Sequence, residues 1–278
     1  MDRRLTPANA HVAAVYLKGQ VEAPVYSKGE QARVAVPVVD LCRTPSGPRD
    51  RQLVLGEAVT VYDRRDGWAF VQAARDGYVG HLPEIALGPD FAPTHWIAVP
   101  ASHAYTAADV KAPEAKALVF GSMVQCVGET KRFRETGDSL HIPKPHLWPI
   151  GKRYTDPVTV AQLHFAAPYL WGGNTIRGID CSGLVQAALL SCGIDCPGDS
   201  DLQQAVGEPL APEAPPERGD LLFWHGHVAL CVDSDTLIHA NAHHMAVAYE
   251  PIGNAIARIE AQGDGTVTSR RRLAAGKG

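Results

Sequence analysis

The chain has no run approaching the roughly 18 consecutive apolar residues of a membrane-spanning helix, and this excludes an integral helical membrane protein. Neither sign of charge dominates. Lys and Arg total 26 against 30 Asp and Glu, a net charge of -4, so neither a nucleic-acid nor a membrane partner is expected. Charged residues make up only 20%, too few for a coiled coil. There is no paired CxxC and no HExxH, the spacings that zinc sites favour. No secretory signal is expected either. The apolar run from Val12 to Leu17 is too short, and the expected location is cytoplasmic.

What is present points to a globular protein of short strands. Hydrophobic residues are 45%, and there are 26 Gly and 21 Pro in 278 residues, enough chain for two or three domains. Six cysteines would allow three disulfides, but without a signal they read as small buried hydrophobes. Cys181 is the exception.

Pro-rich stretches at 87–93 and 142–149 read as linkers. The two segments before the second resemble each other. Ala35-Val36-Pro37 recurs 63 residues on at Ala98, and Leu55–Val61 recurs 65 residues on from Phe120. Asp66-Gly67 and Asp76-Gly77 between apolar runs mark hairpins. The organisation expected is an arm at 1–30 with some helical character, small β-barrels at 31–90 and 91–148, and an α+β domain at 149–278. In that last domain, helices are expected over Val158–Phe165 and Cys181–Cys192, the second capped by Gly193. Strands follow at Leu221–Trp224, Val228–Val232, Thr236–Ala240 and Met245–Tyr249.

Asp180-Cys181-Ser182-Gly183 lies where a loop meets a helix. Asp180 suits the N-cap, and Cys181 then sits in the first turn, where unpaired N–H groups and the helix dipole favour a thiolate nucleophile. The base would be His227, with His239 on the next strand to orient it. Taken singly, Cys181 and each histidine are more often buried structural residues, and Asp180 is equally a plain cap.

Together these segments resemble the NlpC-type papain-like cell-wall cysteine peptidases. The resemblance rests on Pro168–Ser182, on Gly219–Trp224 with Gly226–Ala229, and on Ile238-His239-Ala240. Residues 31–90 are similar to bacterial SH3-like domains, in Gly56-Glu57 with its following strand and in Gly77-Tyr78-Val79-Gly80. The resemblance implies a papain-like domain behind two SH3-like barrels. Cys181 is then the nucleophile, His227 the base and His239 the orienter, with no cofactor and no metal. It implies hydrolysis of the γ-D-glutamyl–diamino acid bond of a small muropeptide with a free N-terminal L-Ala, in wall recycling. Asp180, Ser200, Tyr78 and, more weakly, Asp50 are the implied substrate contacts. A basic residue often found two before the serine is here Gly198. Rival readings are a thiol acyltransferase or amidase on the same fold, a non-catalytic wall-peptide-binding protein, and a metallohydrolase using the cluster His225, His227, His239, His243 and His244. Neither the oligomeric state nor a role for Arg270-Arg271-Arg272 follows from the sequence.

Overall fold

Strands Ala58–Arg65 and Trp68–Ala73 are joined by two residues, Asp66 and Gly67, at φ 51° and 77°. Two positive φ values in a two-residue loop give the reversal that matches the strands' own twist. The hairpin is part of a seven-stranded antiparallel sheet in the computed structural model, which describes residues 1–273. The chain divides into two compact units at Lys152/Arg153.

In the first unit the seven-stranded sheet runs Arg49–Val54, Val38–Cys42, Val79–Pro83, Trp68–Ala73, Ala58–Arg65, Glu30–Val34 and Leu87–Pro89. Alternate residues fill its core, among them Val39, Leu41, Leu53, Val59, Val61, Val71, Tyr78 and Leu82. Each fully buried leucine there contributes about 1.5–3 kcal/mol of transfer free energy.

Residues 95–149 repeat the order of strands. The strands are His95–Ile97, Ala101–Tyr105, Glu114–Val119, Met123–Val124, Cys126–Glu129, Phe133–Thr136, His141–Pro143 and Leu147–Pro149. The long strand 58–65 of the first copy becomes two short ones around Gln125. One sheet therefore divides into a five-stranded and a three-stranded sheet. The copies meet closely at Gly56 (φ +82°), beside Met123, whose N–H donates to the Leu55 carbonyl at 2.8 Å.

Two expectations are corrected here. The arm is not helical: Val12–Ala14 and Val25–Ser27 form a parallel pair joined by a short 3-10 turn. Val12, Ala14 and Leu17 are buried against Tyr62, Phe70 and Val79, and this burial overrides the weak local helix preference. The Val79 N–H donates to the Arg4 carbonyl. The two Pro-rich stretches are not simple linkers either. Leu87–Pro89 pairs with Ala32–Val34, and Leu147–Pro149 pairs with His95–Ile97. Proline is tolerated in such short strands at a sheet edge.

The second unit is α+β. Helix α1 is Pro157–Leu163, capped by Asp156, which accepts from the N–H groups of Val158 and Thr159. Helix α2 is Cys181–Ser191, α3 is the single turn Ser200–Gln203, and α4 is Ile252–Ala261. A six-stranded antiparallel sheet runs Glu208–Pro209, Ser269–Arg272, Leu221–Trp224, His227–Cys231, Thr236–Asn241 and Ala246–Pro251. α4 lays Ile252, Ala255 and Ile259 over Leu222, Trp224, Ala229, Cys231 and Leu237. α2 packs against His227–Cys231 and Thr236–Asn241. Arg270–Arg272 form part of the Ser269–Arg272 strand, and Arg272 pairs with the buried Asp220 at 2.8 Å and with Glu217 at 2.6 Å.

Candidate active site

The site begins with a tight loop against the start of α2. Asp180 is the N-cap: Oδ1 accepts from the Gly183 N–H at 2.6 Å and the Ser182 hydroxyl at 3.2 Å, and Oδ2 from the Gly172 N–H at 2.8 Å. A side chain at Gly183 would place its Cβ 2.5 Å from the Gly173 carbonyl oxygen, so only glycine lets the loop approach. Cys181 is thereby fixed at the first helical position, 6% exposed. Its Sγ lies 3.9 Å from the carbonyl oxygen of Gly226.

Gly226 is the second residue of the two-residue loop between Trp224 and His227, at φ +72°, a conformation glycine adopts freely. This hairpin brings the residue before His227 against the sulfur. Sheet register does the rest. Cys231 faces Leu237, and continuing that register puts His227 diagonally across from His239 on one face. Leu237 faces Glu250 and His239 faces Ala248, so Glu250 is the next diagonal neighbour. The hydrogen bonds follow this geometry. His227 Nε2 and His239 Nδ1 are 2.9 Å apart, and His239 Nε2 and Glu250 Oε2 are 3.1 Å apart. Arg258 of α4 then donates from Nη2 to Oε2 at 2.7 Å and from Nε to Oε1 at 2.9 Å.

Burial makes both imidazoles poor bases. It pulls His227 down to about 3, with further lowering from the neighbouring His239. It pulls His239 to about 4, opposed by the Glu250 carboxylate. Hydrogen bonds from Arg258 hold Glu250 below the usual carboxylate range. At neutral pH the row is therefore two neutral imidazoles ending on an ion pair. Elsewhere burial pushes the Cys192 thiol to about 11 and Cys231 to about 12, values of unreactive thiols.

Three of the expected residues, Cys181, His227 and His239, thus converge. Asp180 adjoins them as the cap. Ser200 opens α3 and is buried, and α3 is fastened beside the cysteine by Gln203, whose Nε2 donates to the Ser182 carbonyl at 2.9 Å. Tyr78 and Asp50 belong to the first unit. Tyr78 is 2% exposed, within the core of the seven-stranded sheet. The Asp50 carboxylate is engaged by Arg3 at 2.7 Å and Arg43 at 3.2 Å.

Sequence reading missed Glu250, Arg258, Gln203 and Tyr169. The phenol of Tyr169 is pushed well above its ordinary value, first by burial and then by the nearby Cys181 and Asp180. Its place in Pro168–Ser182, a segment that carries the family resemblance, was the available signal. His239, His244 and Glu250 also present ligand atoms within 4.8 Å of one another. A metal does not suit this donor set, because both Glu250 oxygens carry the Arg258 guanidinium and both His239 nitrogens are already engaged.

The NlpC/P60 family profile matches residues 166–260. Residues 166–260 are an NlpC/P60 domain. NlpC/P60 is a family of cysteine peptidases. Ahead of this domain, residues 41–87 match the bacterial dipeptidyl-peptidase Sh3 domain. The chain is 37% identical to dipeptidyl-peptidase 6 of Lysinibacillus sphaericus over 84 residues, 30% of this chain and 31% of that protein. The chain thus spans about a third of that relative. It is 24% identical to a γ-D-glutamyl-L-lysine dipeptidyl-peptidase of Bacillus cereus over 248 residues, 75% of this chain and 72% of the relative. In fold it is similar to the crystal structure of an NlpC/P60 family protein from B. cereus. That likeness has a TM-score of 0.74 at 20% identity, over 88% of this chain and 99% of the other. The NlpC/P60 domain is the papain-like part of a mixed α and β chain.

Proposed function

We propose that this protein is a cysteine peptidase that hydrolyses the γ-D-glutamyl–diamino acid bond of peptidoglycan stem peptides bearing a free N-terminal L-alanine. One observation carries the reading. A cysteine at the head of a helix has its sulfur 3.9 Å from the residue before a histidine, and a second histidine holds that imidazole. In this reading the Cys181 thiolate attacks the γ-glutamyl carbonyl. The Cys181 N–H and the Tyr169 hydroxyl receive the developing oxyanion. His227 protonates the leaving amine, and water then releases the acyl group from sulfur.

The activity for which the B. cereus relative is named supports the choice of bond. Asp180 and Ser200 are the groups we assign to the substrate's ammonium, a cation that needs a carboxylate and an acceptor in a shielded pocket. Asp50 is the weakest of these assignments, since two guanidiniums already share its carboxylate. We read residues 31–90 and 91–148 as two SH3-like barrels, 1–30 as an arm on the first, and 149–278 as the peptidase domain. The mild net charge of -4 suits a cytoplasmic enzyme of small soluble wall peptides, in recycling.

The test is incubation with L-Ala-γ-D-Glu-diaminopimelate and with its N-acetylated form. Release of L-Ala-γ-D-Glu from the free amine alone is expected, and its loss in Cys181→Ala. Equal cleavage of both substrates would remove the amine-recognition reading, and full activity in Cys181→Ala would remove the mechanism.

A further inference from the structure

We propose that Glu250, clamped by Arg258, is a positioning residue that sets the direction of every proton in the His239–His227 row and so leaves His227 Nδ1 as the acceptor for the Cys181 proton. This rests on the peptidase reading above and adds to it a device that no local motif announces.

The argument is one of donors and acceptors. A neutral imidazole has one N–H and one lone pair, and either nitrogen can carry the proton. Between His227 and His239 the 2.9 Å contact is therefore ambiguous in itself. The ambiguity ends at Glu250. Arg258 only donates, through Nε and Nη2, and keeps the carboxylate ionised, so that Glu250 can only accept. His239 must then carry its proton on Nε2, 3.1 Å from Oε2. Its Nδ1 becomes the lone pair, and His227 must donate to it from Nε2. The remaining lone pair, on His227 Nδ1, belongs to the ring that follows Gly226, whose carbonyl oxygen lies 3.9 Å from the sulfur. When the thiol is activated, the S–H bond breaks, an N–H bond forms at Nδ1, and the electron pair stays on sulfur. The positive imidazolium then faces Glu250 through His239. The groups facing His239 are His227 and Glu250 on the flanking strands, Arg258 from α4, and His244 beyond Asn241, itself held by the Asn241 side chain.

Glu250→Gln tests this with almost no change of shape. Arg258 Nη2 and His239 Nε2 share Oε2, while Arg258 Nε holds Oε1. With the amide NH2 in the Oε2 place, His239 faces a donor, the row reverses, and His227 presents N–H instead of a lone pair to the thiol. Loss of a correctly oriented base should lower kcat by roughly 10²–10⁴-fold with KM nearly unchanged. The readout that a purely structural role would not move is the pH profile of Cys181 alkylation by iodoacetamide. The unaltered protein should alkylate readily at pH ~7, His227 Nδ1 taking the thiol proton as the sulfur–carbon bond forms. Glu250→Gln with a reversed row should alkylate only as an ordinary thiol ionises, near pH ~8.5. Glu250→Asp, which can still only accept, should recover part of the reactivity at pH ~7. A Glu250→Gln protein whose row has reversed by ¹⁵N-histidine NMR, yet which keeps the unaltered protein's alkylation profile and kcat, would overturn the proposal, while peptidase activity in the unaltered protein would still stand. An unaltered protein that neither alkylates at pH ~7 nor cleaves muropeptides would instead remove the peptidase reading. Should Glu250→Gln fail to fold, or keep its amide oxygen in the Oε2 place, ¹⁵N-histidine NMR of the unaltered protein decides. Protons on Nε2 of both His239 and His227 are expected, and a proton on His239 Nδ1 would overturn the proposal.

Discussion

Asp180→Asn keeps the shape of the helix cap and removes its charge, so its cost can be worked out from the three donors the carboxylate receives. Gly183 N–H at 2.6 Å and Gly172 N–H at 2.8 Å sit on opposite oxygens, with the Ser182 hydroxyl on Oδ1. An amide has only one accepting oxygen. If that oxygen keeps the cap on Gly183, the NH2 group confronts the Gly172 N–H, and a buried donor loses its acceptor. Such an orphan costs about 1–3 kcal/mol. Weakening the charge-assisted cap at the positive end of α2 adds roughly 0.5–1 kcal/mol. A total of about 1.5–4 kcal/mol should lower the melting temperature of the second unit by roughly 6–16 °C, at about 4 °C per kcal/mol for a unit of this size. Calorimetry with Trp171 and Trp224 fluorescence would follow that unit. Asp180→Ala, which removes all three contacts, should cost more. A shift under ~2 °C in Asp180→Asn, or an alanine variant no worse than the asparagine one, would refute the claim that this carboxylate ties the loop to the helix.

Two further predictions concern pH and packing. Unfolded histidines take up protons near pH ~6.5, whereas His239 resists until about 4 and His227 until about 3. The unfolded state therefore binds more protons in this window, and stability falls as pH drops from ~6.5 toward 4. His239 alone, with a folded value of about 4, accounts for about 2 kcal/mol by pH ~5. Urea titrations across that range should show it, and stability rising on acidification would contradict the buried neutral pair. Gly56→Ala forces a side chain at φ +82°, with Cβ crowded against the Met123 carbonyl. Strain plus overpacking predicts a loss of about 2–4 kcal/mol in the first unit by urea titration, and a loss under ~1 kcal/mol would show that the two copies do not meet there.

The parts of the fold legible in the sequence were those written in local patterns. Asp66-Gly67 gave its hairpin because two adjacent residues must take positive φ. Asp180 and Gly193 bracketed α2 to within a residue, because capping chemistry is local. Cys181, His227 and His239 stood out because each has a motif around it. Glu250 and Arg258 had none. Glu250 is chosen by antiparallel register with Leu237, and Arg258 by the turn of a helix eight residues later. The arm misled for a similar reason. Its short apolar run has no strong preference of its own, and Tyr62, Phe70 and Val79, far along the chain, decide that it is extended. Asp50 read as an available acid because Arg3, its partner, is 47 positions away.

The first thirty residues are a coat on the seven-stranded sheet. A protease cut after residue 30 would do two things at once. It would bare Tyr62, Phe70 and Val79 to water, leaving a sticky aromatic patch where there had been sealed backbone. It would also strip Arg3 from Asp50, leaving that carboxylate to Arg43 alone. Damage to this end of the chain would thus register as clumping and altered charge before the chemistry at Cys181 was touched.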